Sequence, residues 1–161
     1  MKKNHADSIK AKSLVHKKFP VIQARQTVQE ALELLASQDT TLSLLVTDAD
    51  GLPLGCINAE ALMLFLLDGS IDELDSGEMP SDITEKLASP VAELQLEKLV
   101  KLAPDDNLVI MLLRAREGSS EWLLVCDGEK ILGQVTISNL YQAAASLALA
   151  GGTADLPFQK H

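Results

Sequence analysis

Two stretches of the chain share one alternation of apolar run, acidic turn and apolar run. Leu44-Leu45-Val46 leads through Thr47-Asp48-Ala49-Asp50-Gly51 to Leu52-Pro53-Leu54-Gly55. Leu123-Leu124-Val125 leads through Cys126-Asp127-Gly128-Glu129-Lys130 to Ile131-Leu132-Gly133. The offset is 79 residues before the turn and 78 after it, because the second turn is one residue shorter. Each stretch predicts two antiparallel strands joined by a tight turn. An internal repeat of this kind organises everything else in the chain.

The flanks repeat as well. Upstream of the first hairpin, Thr27 with Glu30 forms a capping box, and Val28, Ala31, Leu32 and Leu35 follow on one helical face. Upstream of the second, Pro104-Asp105-Asp106-Asn107 precedes Leu108-Val109-Ile110-Met111-Leu112-Leu113. That helix is apolar nearly all round, which predicts deep burial. Downstream, helices are predicted from Asn58 to about Leu67 and from Thr136 to about Leu149, the second stopped by Gly151-Gly152. Short apolar strands are expected around Phe19–Ile22 and Lys98–Leu102.

Each unit therefore reads β-α-β-β-α, in about 55 residues, too few to bury a good core alone. The expected fold is α+β, with two such units packed through their sheets in pseudo-two-fold symmetry. The organisation is a basic arm (1–12), a first repeat (13–68), an acidic linker (69–88), a second repeat (89–149) and a tail (150–161). One short helix is expected in the linker after Ser81.

Composition sharpens this picture. The 161 residues are 47% hydrophobic but only 3% aromatic, so the core is aliphatic. The net charge of −9 argues against general binding to nucleic acid or anionic membrane. Residues 1–25 carry seven basic groups against Asp7, which leaves −15 on the other 136 residues. No aromatics interleave those lysines to stack bases, so the arm reads as a solvated tail. The longest apolar run, Ala61–Leu67, is too short to span a bilayer, and Met1-Lys2-Lys3-Asn4-His5 leads into no apolar stretch of a secretory signal. The expected location is the cytoplasm.

Little here suggests catalysis. The histidines are His5, His16 and His161, two near the arm and one at the terminus, and no HExxH, GxSxG or P-loop motif occurs. Cys56 and Cys126 are isolated on predicted strands, where an inert thiol is usual. Asp105 and Asp106 are accounted for as helix caps. The acidic linker lacks EF-hand spacing, so no metal site is expected.

The tandem unit, with its Leu-Leu-Val run, acidic turn, glycine and helix-starting Thr, resembles the cystathionine-β-synthase (CBS) domain family. The resemblance covers about residues 13–68 and 89–149. The family's site motif is glycine, an apolar residue, any residue, Ser or Thr, two more, then Asp or Asn. The second repeat reads Gly133-Gln134-Val135-Thr136-Ile137-Ser138-Asn139, with Gln134 replacing the apolar residue. The first repeat reads Gly55-Cys56-Ile57-Asn58-Ala59-Glu60-Ala61 and lacks the last polar group. The resemblance implies at most one good nucleotide site per chain, in the cleft between repeats. Its residues would be Leu102, Gly133, Gln134, Val135, Thr136 and Asn139, with Leu102 against the base. The usual hydroxyl before proline is replaced, since Ala103 precedes Pro104. Lys101 and Lys130 are candidates to supply positive charge.

The chemistry of the motif fits independently. A helix N-terminus favours anions. The Thr136 hydroxyl reaches either a phosphate or its own helix as a cap, and Asn139 lies on the same face. Asn139 is a weaker acceptor for a ribose diol than aspartate. The reading is a non-catalytic regulatory module for AMP, ADP or ATP, with S-adenosylmethionine or NAD as lesser candidates, that signals to a protein partner. No other cofactor is required. The alternative is a ligand-free scaffold for dimerisation or protein contacts. The small-residue run Ala143–Leu149 serves either a homodimer interface or packing within its own chain.

Overall fold

The computed structural model describes residues 8–38, 43–67, 81–118 and 121–151. The start of the basic arm, most of the acidic linker and the tail beyond residue 151 lie outside them. The architecture is α+β, with two three-stranded sheets, each in its own compact unit.

The first unit spans residues 20–98. Strand β1 (Val21–Gln23) runs parallel to β2 (Ser43–Thr47), which pairs antiparallel with β3 (Pro53–Asn58). Helices α2 (Val28–Ala36) and α3 (Ala59–Leu67) cover one sheet face. There Ile22, Leu44, Val46 and Ile57 meet Val28, Ala31, Leu35, Leu62 and Leu66. The capping box forms as its sequence dictates, with the Glu30 N–H donating to Thr27 Oγ1 at 3.1 Å. The Gln26 amide donates to the Glu30 carboxylate at 2.7 Å and, with Thr27, holds it below the usual carboxylate range.

The chain after the linker also packs on this unit. The expected helix is present as α4 (Ile83–Leu87), and a 3₁₀ turn follows at Val91–Glu93. Ile83, Leu87 and the fully buried Val91 join the first core. Val28 N–H donates to Ser89 O at 2.9 Å, and Val91 N–H donates to Gln26 O at 2.8 Å. Residues 81–98 thus belong to the first compact unit.

The second unit combines residues 8–19 with 99–151. Strand β4 (Lys101–Leu102) is parallel to β5 (Trp122–Asp127), which pairs antiparallel with β6 (Lys130–Thr136). Helices α5 (Leu108–Ala115) and α6 (Ile137–Gly151) cover it. Leu102, Val125 and Val135 meet Leu108, Met111 and Leu140 in its core. The end of the arm docks here as α1 (Ala11–Leu14), with Ala11 fully buried in that core. Backbone N–H groups of Ala11 and Lys12 donate to Asp106 O and Pro104 O at 2.9 and 3.0 Å. The Lys12–Asp105 ion pair at 2.9 Å is exposed on both sides and adds little.

Helix α5 corrects one expectation. It buries Leu108 and Met111 but leaves Val109, Ile110 and Leu113 exposed, Leu113 by 54%. A two-turn helix lying on one face of a small sheet can bury only one side, whatever its composition. Helix α6 uses its small residues at home: Ala143, Ala144 and Leu147 pack against the second core.

Both units close a sheet edge in the same way. His16 N–H donates to Gln134 O at 2.7 Å and Gln134 N–H to His16 O at 3.0 Å, on the free edge of β6. On the free edge of β3, Cys56 N–H donates to Glu97 O at 3.1 Å and Glu97 N–H to Cys56 O at 2.8 Å. This covers backbone groups that would otherwise invite foreign strands. It also explains why the units are not cut at the repeat boundaries. The segment before each repeat's first strand belongs to the other repeat's sheet.

Gly133 is where this closure is tightest. Its φ is +152°, and a Cβ there would lie 2.3 Å from His16 O and 2.6 Å from a Val15 methyl. Gly128 also has positive φ, at +62°, but faces open space. Gly128→Ala is expected to cost about 1 kcal/mol, the backbone penalty alone. Gly133→Ala should cost on the order of 3 kcal/mol, because strain and a backbone collision add. Urea unfolding of the two variants side by side measures the difference.

Candidate functional site

The site builds from the junction of β6 and α6. Thr136 ends the strand, and its Oγ1 accepts the Asn139 N–H at 3.1 Å. The hydroxyl therefore caps the helix, which satisfies one orphan donor of the first turn. As a hydroxyl it also carries one proton that it can donate to an acceptor. Three residues on, the Asn139 side-chain amide contacts Nε2 of His16. His16 is fixed from behind by its two backbone bonds to Gln134. Thr136, Asn139 and His16 thus gather at one helix N-terminus.

Gln134 lies beside them on the strand. It pairs with Leu124, which pairs in turn with Lys101. In-register neighbours point to the same sheet face, so these three share one face. The next row, Leu102, Val125 and Gly133, belongs to the helix-covered face, with Leu102 and Val125 in the core. Gln134 is only 5% exposed and lies beside the start of α6 on this face.

The sequence-predicted residues separate into two sets. Gln134, Thr136 and Asn139 come together at the β6–α6 junction. Leu102 and Val135 have their side chains in the core beside Met111 and Leu140, and Leu102 pairs with Val125 in the β4–β5 ladder. Gly133 serves close packing with residues 15 and 16. Lys130 is corrected. It pairs with Asp127 at the turn, whereas Thr136 pairs with Trp122 at the other end of β6. They stand six positions apart along the strand, about 20 Å. Lys101, by contrast, is exposed on the Gln134 face.

The equivalent place in the first repeat carries different chemistry. Asn58 ends β3 and caps α3, its Oδ1 accepting the Ala61 N–H at 2.8 Å. The Asn58 amide then donates to Glu97 Oε1 at 3.2 Å. Glu97 holds the position that His16 holds in the second unit, and Ala61 stands where Asn139 does. A carboxylate therefore occupies the first half-site and an imidazole the second.

Sequence reasoning missed both His16 and Glu97, and His16 was grouped with the histidines of the arm. The available signal was positional. Each precedes its repeat's first strand by a few residues, His16 five before Val21 and Glu97 four before Lys101. Neither lies in a motif.

Other chemistry is sparse among the described residues. Burial pushes the Cys126 thiol up, partly offset by Lys101, which makes it a poor nucleophile. No group of three His, Cys, Asp or Glu gathers as a metal site there. Nor is any described helix long and apolar enough to cross a membrane.

Comparisons with known proteins agree on the fold. A family model described as CBS domain matches residues 11–68. A CBS domain-containing protein of unknown function from Kribbella flavida has 26% identity and a TM-score of 0.73, over 86% of this chain and 99% of that one. A CBS domain pair/ACT domain protein from Thermotoga maritima has 26% identity and a TM-score of 0.64, over 88% and 100%. The CBS-pair protein CBSX2 from Arabidopsis thaliana gives 21% and 0.68, over 88% and 97%. CBSX2 in complex with AMP gives 20% and 0.64, over 86% and 98%. No curated protein matches the sequence.

The cap at the centre of the site has a measurable worth. Thr136→Ala is expected to lower stability by about 1 kcal/mol, while Thr136→Ser, which keeps the acceptor, should lose far less. Denaturant unfolding of both variants tests this.

Proposed function

The chain is a tandem CBS domain module, and on that premise we propose that it is a non-catalytic regulatory module binding one adenine nucleotide per chain at the β6–α6 junction. One observation carries this reading. Thr136, Asn139 and His16 converge on a helix N-terminus beside the buried residue Gln134. Backbone N–H groups and the Thr136 hydroxyl suit a phosphate. Asn139 offers a donor and an acceptor to a ribose diol. Gln134 offers the same pair to a base edge, and the backbone of Leu102, Gly133 and Val135 completes the wall. The complex of CBSX2 with AMP supports the choice of AMP as first ligand. ADP, ATP, S-adenosylmethionine and NAD follow as competitors. Signal output passes to a partner protein through a ligand-dependent change in population between two states.

A second reading rests on a different observation, the exposed Val109, Ile110 and Leu113 on α5. A second copy of the chain would cover this apolar face in a homodimer scaffold that needs no ligand. Light scattering at high micromolar concentration should then show twice the monomer mass, reduced to one by Leu113→Glu.

AMP titrated into the protein in a calorimeter is expected to bind with a stoichiometry of one per chain. Asn139→Ala should weaken it about tenfold, the worth of one or two hydrogen bonds. At 100 times its dissociation constant AMP should add about 2.7 kcal/mol of stability, or several degrees in melting temperature. No heat and no shift with any of the five ligands defeats the nucleotide reading and leaves the scaffold.

A further inference from the structure

The two half-sites differ most at a position outside every motif. The segment before each repeat's first strand lies along the edge of a hairpin through two backbone hydrogen bonds, and delivers one side chain to the adjacent helix start. In the second unit that side chain is His16, against Asn139. In the first unit it is Glu97, against Asn58. Asn58 is the repeat equivalent of Thr136, the cap residue, and Asn139 sits three residues past the cap. A side chain delivered from this edge therefore spans the cap and the first helical turn, the region where an anion would sit.

We infer that this delivered residue is the specificity determinant of each half-site: His16 contacts the phosphate of a nucleotide at the second, and Glu97 excludes phosphate from the first. The inference rests on the nucleotide reading of the β6–α6 junction. The physical reason is charge at close range. Carboxylate and phosphate are like charges, and placing them within hydrogen-bond distance with partial burial is costly. An imidazole has no such penalty and carries a donor. The Glu97 carboxylate also engages the Asn58 amide, so the group that would face a ligand is already satisfied within the protein. Two differences then act together in the first half-site: Ala61 removes a contact, and Glu97 repels the anion.

His16 is equally well placed to act before binding. Its contact with Asn139 satisfies that amide in the empty protein. A nucleotide arriving at α6 must share or replace this contact, so His16 sets the cost of entry as well as the charge. The backbone bonds to Gln134 do not depend on the side chain, and they keep residue 16 in place in any substitution that tolerates the strand conformation.

The test is a calorimetric titration of AMP and of adenosine, which lacks the phosphate, into the full chain and into His16→Glu and His16→Gln. Thermal melts confirm that both variants fold. His16→Glu is expected to weaken AMP about tenfold or more, the scale of a charge-assisted hydrogen bond lost, while adenosine changes less than about twofold. His16→Gln should fall between wild type and His16→Glu for AMP. If AMP binds wild type and His16→Glu alike, His16 is not at the phosphate and the inference is overturned while the nucleotide reading stands. If AMP and adenosine weaken equally, His16 only supports the fold, and the inference again fails. If wild type binds neither compound, the nucleotide reading fails and the inference goes with it.

Discussion

The approach of residues 15 and 16 to the free edge of β6 governs the second unit. Two backbone hydrogen bonds fix it, and Gly133 permits it because no side chain fits between the two backbones. The same device recurs at Cys56 and Glu97, where a Cβ on Gly55 would meet Leu96 at 2.8 Å. The glycine that opens the site motif is therefore a packing residue before it is a binding residue. It lets a distant segment of chain pair through a single bridge with the free edge of a three-stranded sheet.

This closure couples fold to site. It anchors Ala11 in the second core, since the arm must turn back through α1 to reach β6. It anchors Val91 in the first core for the matching reason. It then sets a side chain from outside the motif against each helix start. The local chemistry of each helix start follows from its cap, and the difference between the two follows from what is delivered. A histidine is delivered to one helix start and a glutamate to the other, beside motif positions that also differ, Asn58 against Thr136 and Ala61 against Asn139.

The helices show how size limits burial. Helix α5 is apolar on nearly every side, yet a three-stranded sheet offers it one contact face, and Leu113 is left 54% exposed. Helix α6 carries a run of small residues and uses Ala143 and Ala144 against its own core. Composition alone ranks α5 as the more buried helix and α6 as the more adaptable, whereas the available area on each sheet decides.

Local rules were enough to determine much of this protein. Apolar alternation and acidic turns set both hairpins, the Thr27–Glu30 and Asn107 caps set two helix starts, and the 79-residue offset set the repeat. These signals are short-range, and each residue carries its own evidence. Thr136 and Asn139 were legible for the same reason, since a cap and a residue one turn later meet on any helix. The tertiary structure alone decided that residues 8–19 join the second repeat's sheet and residues 89–98 the first. It alone turned Leu102 inward, sent Lys130 to the far end of β6 and brought His16 to Asn139 across 123 residues of chain. Such pairings depend on which strand edge is left free after the hairpins form, and no single segment of sequence encodes that edge.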